Sequence, residues 1–275
     1  VGWQMQENGP SVAGALAEAH GYLALAKLHY DWNWPVAERE FKRALELNPS
    51  QADIRHDYAH FLMAMGRGEE SLAESKRATE RDPLSLFLTS CLGWHRLFAR
   101  QYDQAMEQSL KVLQVDPNFI WAHMILGWAY EQKSMFEEAI TEFQNSIKLS
   151  EGGAVAIANL GEKVARARCG IILTEGDALA MAALGHTFAV SGKKREARGV
   201  LAKLKERSTR KYVSAYDIAT VYAGLGDQDQ VFEWLQKAYE ERSSFLVHVN
   251  WDPRFDALRS DPRFQALLKK MGLAK

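Results

Sequence analysis

His56 and His60, one helical turn apart with Asp53 and Asp57 beside them, are the best candidate metal ligands in this 275-residue chain. Imidazoles at that spacing on one helix can chelate zinc. The register of the surrounding pattern turns both rings toward a groove, however, and the sequence is read as holding no metal and no other cofactor. No catalytic arrangement accompanies them. The chain lacks a phosphate-binding loop, GxGxxG, HExxH and GxSxG, the usual carriers of nucleotide-dependent and hydrolytic chemistry. Catalytic residues are therefore none, and a non-enzymatic role is expected. A second cluster is electrostatic: Lys193 to Lys211 holds nine Lys/Arg against two Glu, Glu196 and Glu206. Such a run is read as a solvated outer helix facing Asp227, Asp229 and Glu233, the other use being an anionic partner.

The elements that position these residues repeat. Asn48-Pro49, Asp82-Pro83 and Asp116-Pro117 lie 34 residues apart, as do Leu92-Gly93, Leu126-Gly127 and Leu160-Gly161. The small residues Ala37, Ser71, Ala105 and Ala139 keep the same spacing. After a break in phase, Leu184-Gly185 and Ile218-Ala219 resume it. Self-similarity at this period marks a solenoid of helix–turn–helix units. A small residue on each of two facing helices lets their axes approach to about 8–10 Å. An Asp-Pro or Asn-Pro pair ends one helix and redirects the chain into the next.

These residues resemble the tetratricopeptide repeat family. Its unit carries a Leu-Gly pair, a Tyr three residues after the Gly, a small residue near the middle, a large apolar residue four later, and a terminal Pro. The unit from Ile120 shows Leu126-Gly127, Tyr130, Ala139 and Phe143, and departs only at Glu151-Gly152-Gly153, where the Pro is missing. The resemblance implies an all-α, right-handed α-α superhelix. Units are read at 18–51, 52–85, 86–119, 120–153, 178–211 and 212–245, making a solenoid over 18–245 after an N-terminal segment, 1–17. The first unit is irregular at "HYDWNWPVAE", where Trp32 and Trp34 replace small turn residues, and aromatic packing in an end unit is expected there. Residues 154–177 are read as an inserted half-unit: a helix from about Ala154 to Ala167, then a loop with at most a short extended piece near Ile171–Thr174. Its apolar stripe (Ile157, Leu160, Val164, then Ile171, Ile172 and Leu173) is expected to fold onto its own solenoid or to form a homodimer contact.

At the other end, "WDPRFDALRSDPRFQALL" carries Asp-Pro-Arg-Phe twice. Each Asp suits an N-cap and each Pro the first helical position. Residues 246–275 are therefore expected to form two capping helices that cover the apolar face of unit 212–245, since a solenoid's last repeat needs a lid. Deleting 252–275 is expected to melt that unit first. This ending, with "YDWNWPVAEREFKRALELNP", also resembles the C-terminal repeat region of bacterial multidomain signalling proteins, in which it follows a winged-helix, cyclase or protein kinase domain.

In that family the second, fifth and ninth residues of each first helix point into the concave groove. Those positions give His56, His60, Phe87, Trp94, Trp121, Met124, Trp128, His186 and Tyr216, with Glu131 at the margin. Two tryptophans one unit apart form the kind of amphipathic anchor enriched at binding hot spots, so the groove is read as a site for a peptide or partner protein. The alternative is that these aromatics pack against neighbouring helices. Function is thus expected to be protein–protein interaction within a larger bacterial regulatory protein; the alternatives are the non-catalytic half of a cyclase or kinase, or a dimerisation domain.

Composition agrees by exclusion. A net charge of −1 argues against a whole-molecule grip on nucleic acid or anionic membrane. Cys91 and Cys169 form no CxxC, which suits a reducing compartment. The longest apolar run, Phe119 to Tyr130, is too short to insert across a bilayer. The chain opens at Val1 without a signal-peptide pattern, read as a processing boundary. A cytoplasmic location is expected, or a periplasmic one if a membrane span precedes it.

Overall fold

The computed structural model describes residues 12–151 and 170–274, with side chains from 12–150 and 177–274. The fold is an all-α superhelix of paired antiparallel helices, and no strand occurs among the described residues. The first pair is α1 (Val12–Ala26) and α2 (Trp34–Leu47). Next come α3 (Ala52–Ala64) with α4 (Gly68–Arg81), and α5 (Leu86–Phe98) with α6 (Tyr102–Val115). They are followed by α7 (Ile120–Gln132) with α8 (Phe136–Glu151), then α9 (Gly170–Val190) with α10 (Lys194–Ser208), and α11 (Ala215–Leu225) with α12 (Gln228–Glu240).

The repeated residues do what their spacing demands. Ala37, Ser71, Ala105 and Ala139 have no exposed surface, and the Ser71 hydroxyl donates to the Ala59 carbonyl at 2.7 Å, tying α4 to α3. At Gly127 a Cβ would lie 2.6 Å from the Phe143 ring, so only glycine lets α7 and α8 meet there. Asn48, Asp82 and Asp116 each close a helix by donating their backbone N–H four residues back, to Ala44, Ala78 and Val112. The proline that follows each cannot continue the helix.

Two regions depart from expectation. Residues 170–177, read as a loop, belong to the 21-residue helix α9. Glycine costs an interior helix position only about 1 kcal/mol against alanine. Gly176 is outweighed by the good helix formers after it. The helix expected over 154–167, with Ile157, Leu160 and Val164 of the stripe, lies outside the described residues, whereas Ile171, Ile172 and Leu173 fall within α9. At the N-terminal unit the irregular turn is a π-turn, Lys27–Asp31, ending on Trp32 in the left-handed region (φ 52°). The extra residue aims Trp32 and Trp34 across the molecule, toward its other end.

That other end differs more than the turn does. The twin Asp-Pro motifs do cap helices: Asp252 and Asp261 accept from the N–H of Arg254 and Arg263, at 3.0 and 2.8 Å. They start a 3-10 turn, Pro253–Leu258, and a helix, α13 (Pro262–Lys270). A further 3-10 turn, Ser244–His248, precedes them. Phe255 and Phe264 are fully buried, as a lid over the last unit requires. The same segment, though, reaches the first unit: Trp34 Nε1 donates to the Met271 carbonyl at 2.8 Å. Trp32 lies 5.1 Å from the Tyr239 ring and 3.9 Å from the Arg242 guanidinium. One apolar core runs from Ala17 through Ala64 to residues 178–271. The superhelix closes on itself, and its C-terminal residues are a seam as well as a lid.

Candidate functional site

The first helices of the units place the residues singled out from sequence on the concave side, and the structure shows that side filled. Residues 245–256 run along it. The His248 ring sits 5.8 Å from His60, 4.8 Å from Trp94 and 5.9 Å from Phe98. Trp251 Nε1 donates to the Ala64 carbonyl at 3.3 Å. Its ring lies against Gly66, whose φ is +75° and where a Cβ would lie 2.3 Å from the indole. The Arg254 guanidinium lies 5.5 Å from the Trp128 ring centroid and 6.0 Å from that of Tyr216. Tyr216 donates its hydroxyl to Asp252 at 2.6 Å, and its ring meets Phe255 at 5.5 Å. What remains between Trp94, Phe98, Trp128 and Pro253 is a cavity of about 10 Å³, the room of a single water.

Trp94 and Tyr216 are accordingly 1% exposed, and His56, Trp121, Met124, Trp128, Glu131 and His186 are buried with them. His60 and Phe87 are partly covered, Phe87 packing edge-on against His56 at 5.0 Å. Trp121 and Trp128 meet edge to face at 5.6 Å. The residues named from sequence thus do converge on one face, but as the wall of a closed channel. Truncating Trp94 or Trp128 therefore opens a core as well as removing an anchor.

The channel's carboxylates are paired in a low-dielectric setting. Asp252 and Arg254 form a bidentate pair, with Nε to Oδ1 at 2.9 Å and Nη2 to Oδ2 at 2.6 Å. Burial pushes the Asp252 carboxyl up, yet Arg254 and Tyr216 outweigh it and hold its pKa below the ordinary value. Glu131 behaves alike. Burial raises its pKa, but His186 Nδ1 at 2.9 Å, the Thr187 hydroxyl at 2.5 Å and the nearby Arg254 outweigh it and hold the pKa below the ordinary value. The histidines go the other way. Burial drives His60 and His95 well below the usual imidazole value, His248 to about 3 and His29 to about 4. All four are neutral near pH 7.

Sequence reasoning missed the other half of this site: Phe245, His248, Trp251 and Arg254. A signal existed in the Trp and His residues of "FLVHVNWDPRF", types uncommon in a solvated lid. The basic helix α10 is also compensated differently from expectation. Lys193 pairs with Glu137 at 2.6 Å, Arg207 pairs with Asp177, and Lys205 donates to the Tyr222 hydroxyl at 2.6 Å. Asp229, expected to face this helix, binds Arg263 at 2.7 Å. No helix among the described residues is long and apolar enough to cross a membrane.

Residues 33–87 and 122–152 each match the tetratricopeptide repeat family. A stretch of 85 residues is 32% identical to Hsp70-Hsp90 organizing protein 2 of Arabidopsis thaliana, covering 31% of this chain and 15% of that protein. Among solved structures, PilW, a widely conserved type IV pilus biogenesis factor, superposes with a TM-score of 0.55 at 15% identity, covering 92% of this chain and 98% of that one. The pilF protein of Pseudomonas aeruginosa gives 0.53 at 16% identity, over 86% and 97%. A thermophilic TPR protein in Thermus thermophilus gives 0.50 at 16%, over 74% and 98%. At such identities the likeness is one of fold.

Proposed function

We propose that this tetratricopeptide-repeat superhelix is a protein-interaction module whose concave face takes an extended segment of a partner, in the place its own residues 245–256 hold. The observation that carries the reading is that segment itself. It lies across the first helices of the units as a bound peptide would, with Trp251 on Gly66, His248 against Trp94 and Arg254 over Trp128. Aromatic and arginine anchors in desolvated pockets are what binding hot spots are made of. A partner competes with the tethered segment, so its apparent affinity falls by the fraction of time the channel is closed.

The organizing protein's name is that of a scaffold, which supports an interaction role without a reaction of its own. We place the module in a larger bacterial regulatory or signalling protein, in the cytoplasm, on the sequence resemblance of its ending. Self-association through residues 154–177 is the second arrangement, and light scattering on the intact chain measures it.

The test uses a labelled peptide of residues 243–260 supplied in trans. Trp251→Ala with Arg254→Ala removes two anchors of the tethered copy, and hydrogen exchange then reports whether that segment opens while α3 to α8 stay protected. The opened variant is expected to bind the peptide at least tenfold more tightly than the unaltered chain. An opened variant that ignores the peptide overturns the channel reading.

A further inference from the structure

Behind the closing segment, His56 and His60 of the channel wall meet two side chains that the interaction reading does not use. His56 and His60 come from α3, Cys91 and His95 from α5. One nitrogen from each of the first two, with the Cys91 sulfur, all lie within 4.8 Å of one another. The His95 ring is 4.6 Å from His60 and 6.0 Å from His56, and the His56 and His60 rings are 4.5 Å apart. His56, Cys91 and His95 are buried, and His248 covers His60 from the closing segment.

We propose that His56, His60 and Cys91 form a buried site for a thiophilic d10 cation, zinc or cuprous ion, with the neighbouring His95 turning in as the fourth donor. The ligand set matches that chemistry, because imidazole and thiolate donors favour zinc and monovalent copper over magnesium or calcium. The spacing matches as well. Imidazoles binding one ion at about 2.0–2.1 Å in tetrahedral geometry hold their ring centres roughly 5 Å apart, close to the separations of His60 from His56 and from His95. Tetrahedral donors sit about 3.4–3.8 Å from one another, so the ion draws the cluster slightly inward through side-chain rotation. The polar balance points the same way. His95 keeps at least one ring nitrogen with no hydrogen-bond partner, as His248 does at Nδ1, and a buried nitrogen left so is costly unless something binds it. Helical i, i+4 spacing supplies both pairs, His56 with His60 and Cys91 with His95, so the two helices meet as two-toothed clamps. Sequence pattern shows the first clamp and, through Asp53 and Asp57, suggests the wrong companions for it.

The experiment takes the whole chain, strips it with a chelator and titrates it with zinc and with cobalt as a coloured substitute, in a Cys169→Ser background where Cys91 is the one thiol. One equivalent per chain is expected, with a cobalt–thiolate charge-transfer band. Cys91→Ser should abolish the band, and His60→Gln should weaken binding tenfold or more. Circular dichroism checks that each variant folds, and Cys91→Ala replaces Cys91→Ser if the serine form does not. His123→Gln, which alters a histidine outside the cluster, should change nothing. An unaltered chain that takes up no metal overturns the proposal. So does cobalt colour without a thiolate band, or uptake lost in His123→Gln, which would place the metal at a different histidine. The assay needs no peptide, so its outcome is independent of the channel reading.

Discussion

The units from Ala52 to Glu151 and the segment from Ser244 to Leu273 draw on the same residues, Trp, His, Phe and Arg, and differ in how far along the chain their contacts reach. Within units the ties are short: Ser71 to Ala59 across 12 residues, His123 to Glu142 across 19. In the segment they are long: Arg100 to Asp256 across 156 residues, Trp251 to Ala64 across 187, Trp34 to Met271 across 237. Nearest-neighbour contacts make a solenoid's stability roughly a sum over units. A seam joining first and last units gains nothing until the whole superhelix exists, and that couples the ends.

The sharpest break of the seam is Asp252→Asn, which keeps the shape but takes from the buried Arg254 its bonded carboxylate and leaves only the more distant Glu131 to offset the charge. Removing one partner of a buried pair costs about 3–5 kcal/mol, and Tyr216 loses a charged acceptor as well. Urea unfolding should show that loss, against under about 1 kcal/mol for Asp256→Asn, whose pair with Arg100 is exposed. Equal small losses would mean that the seam holds little.

Trp94→Ala tests the channel wall from the other side. A buried aromatic truncated to alanine costs about 3–5 kcal/mol, whereas Leu110→Ala on a half-exposed outer surface should stay within about 0.5 kcal/mol. If Trp94→Ala melts like the unaltered chain, the channel is open in solution and the tryptophan is a free anchor.

A smaller and cleaner contrast lies in two turn glycines. Gly66 and Gly192 both have left-handed φ, +75° and +85°, but only at Gly66 does a Cβ strike the Trp251 ring. Alanine at either costs the left-handed penalty of about 1–2 kcal/mol. Gly66→Ala should lose measurably more by thermal melting, and the excess isolates the seating of Trp251. Equal losses would detach Trp251 from the turn.

The least effect belongs to a pair inside one unit. Burial opposes charge on His123, yet Glu142 at 2.5 Å, the Pro117 carbonyl and nearby Asp116 outweigh it and raise its pKa above 6.5. A raised folded-state pKa adds stability that is fully present below about pH 6.5 and lost as pH climbs through the raised value. Asp252 is the opposite case: its lowered pKa adds stability above about pH 4 that disappears on acidification. His123→Gln should flatten the slope on the alkaline side and leave the acid limb unchanged. An unaltered alkaline slope would assign it to another group.

The sequence by itself determined the units. Asp-Pro ends, Leu-Gly pairs and small residues every 34 positions act on neighbours within one or two helices, so a period in the chain is a period in space. It also determined that His56, His60, Trp94, Trp128 and Tyr216 share one face, because that face is a fixed set of positions in each unit. Whether the face is open was decided only by the tertiary structure. Trp94 in a bare groove and Trp94 against His248 are the same letter in the same place, and the contact that separates them spans more than a hundred residues without any repeat to announce it. Gly66 is the plainest instance. Its left-handed φ answers a local turn, as the position 34 residues later does with Arg100 at φ 63°, but the lack of a Cβ at Gly66 serves Trp251. Cys91 and His95 follow the same rule: helical spacing aligns each pair, and only the packing of α3 on α5 brings the two pairs together.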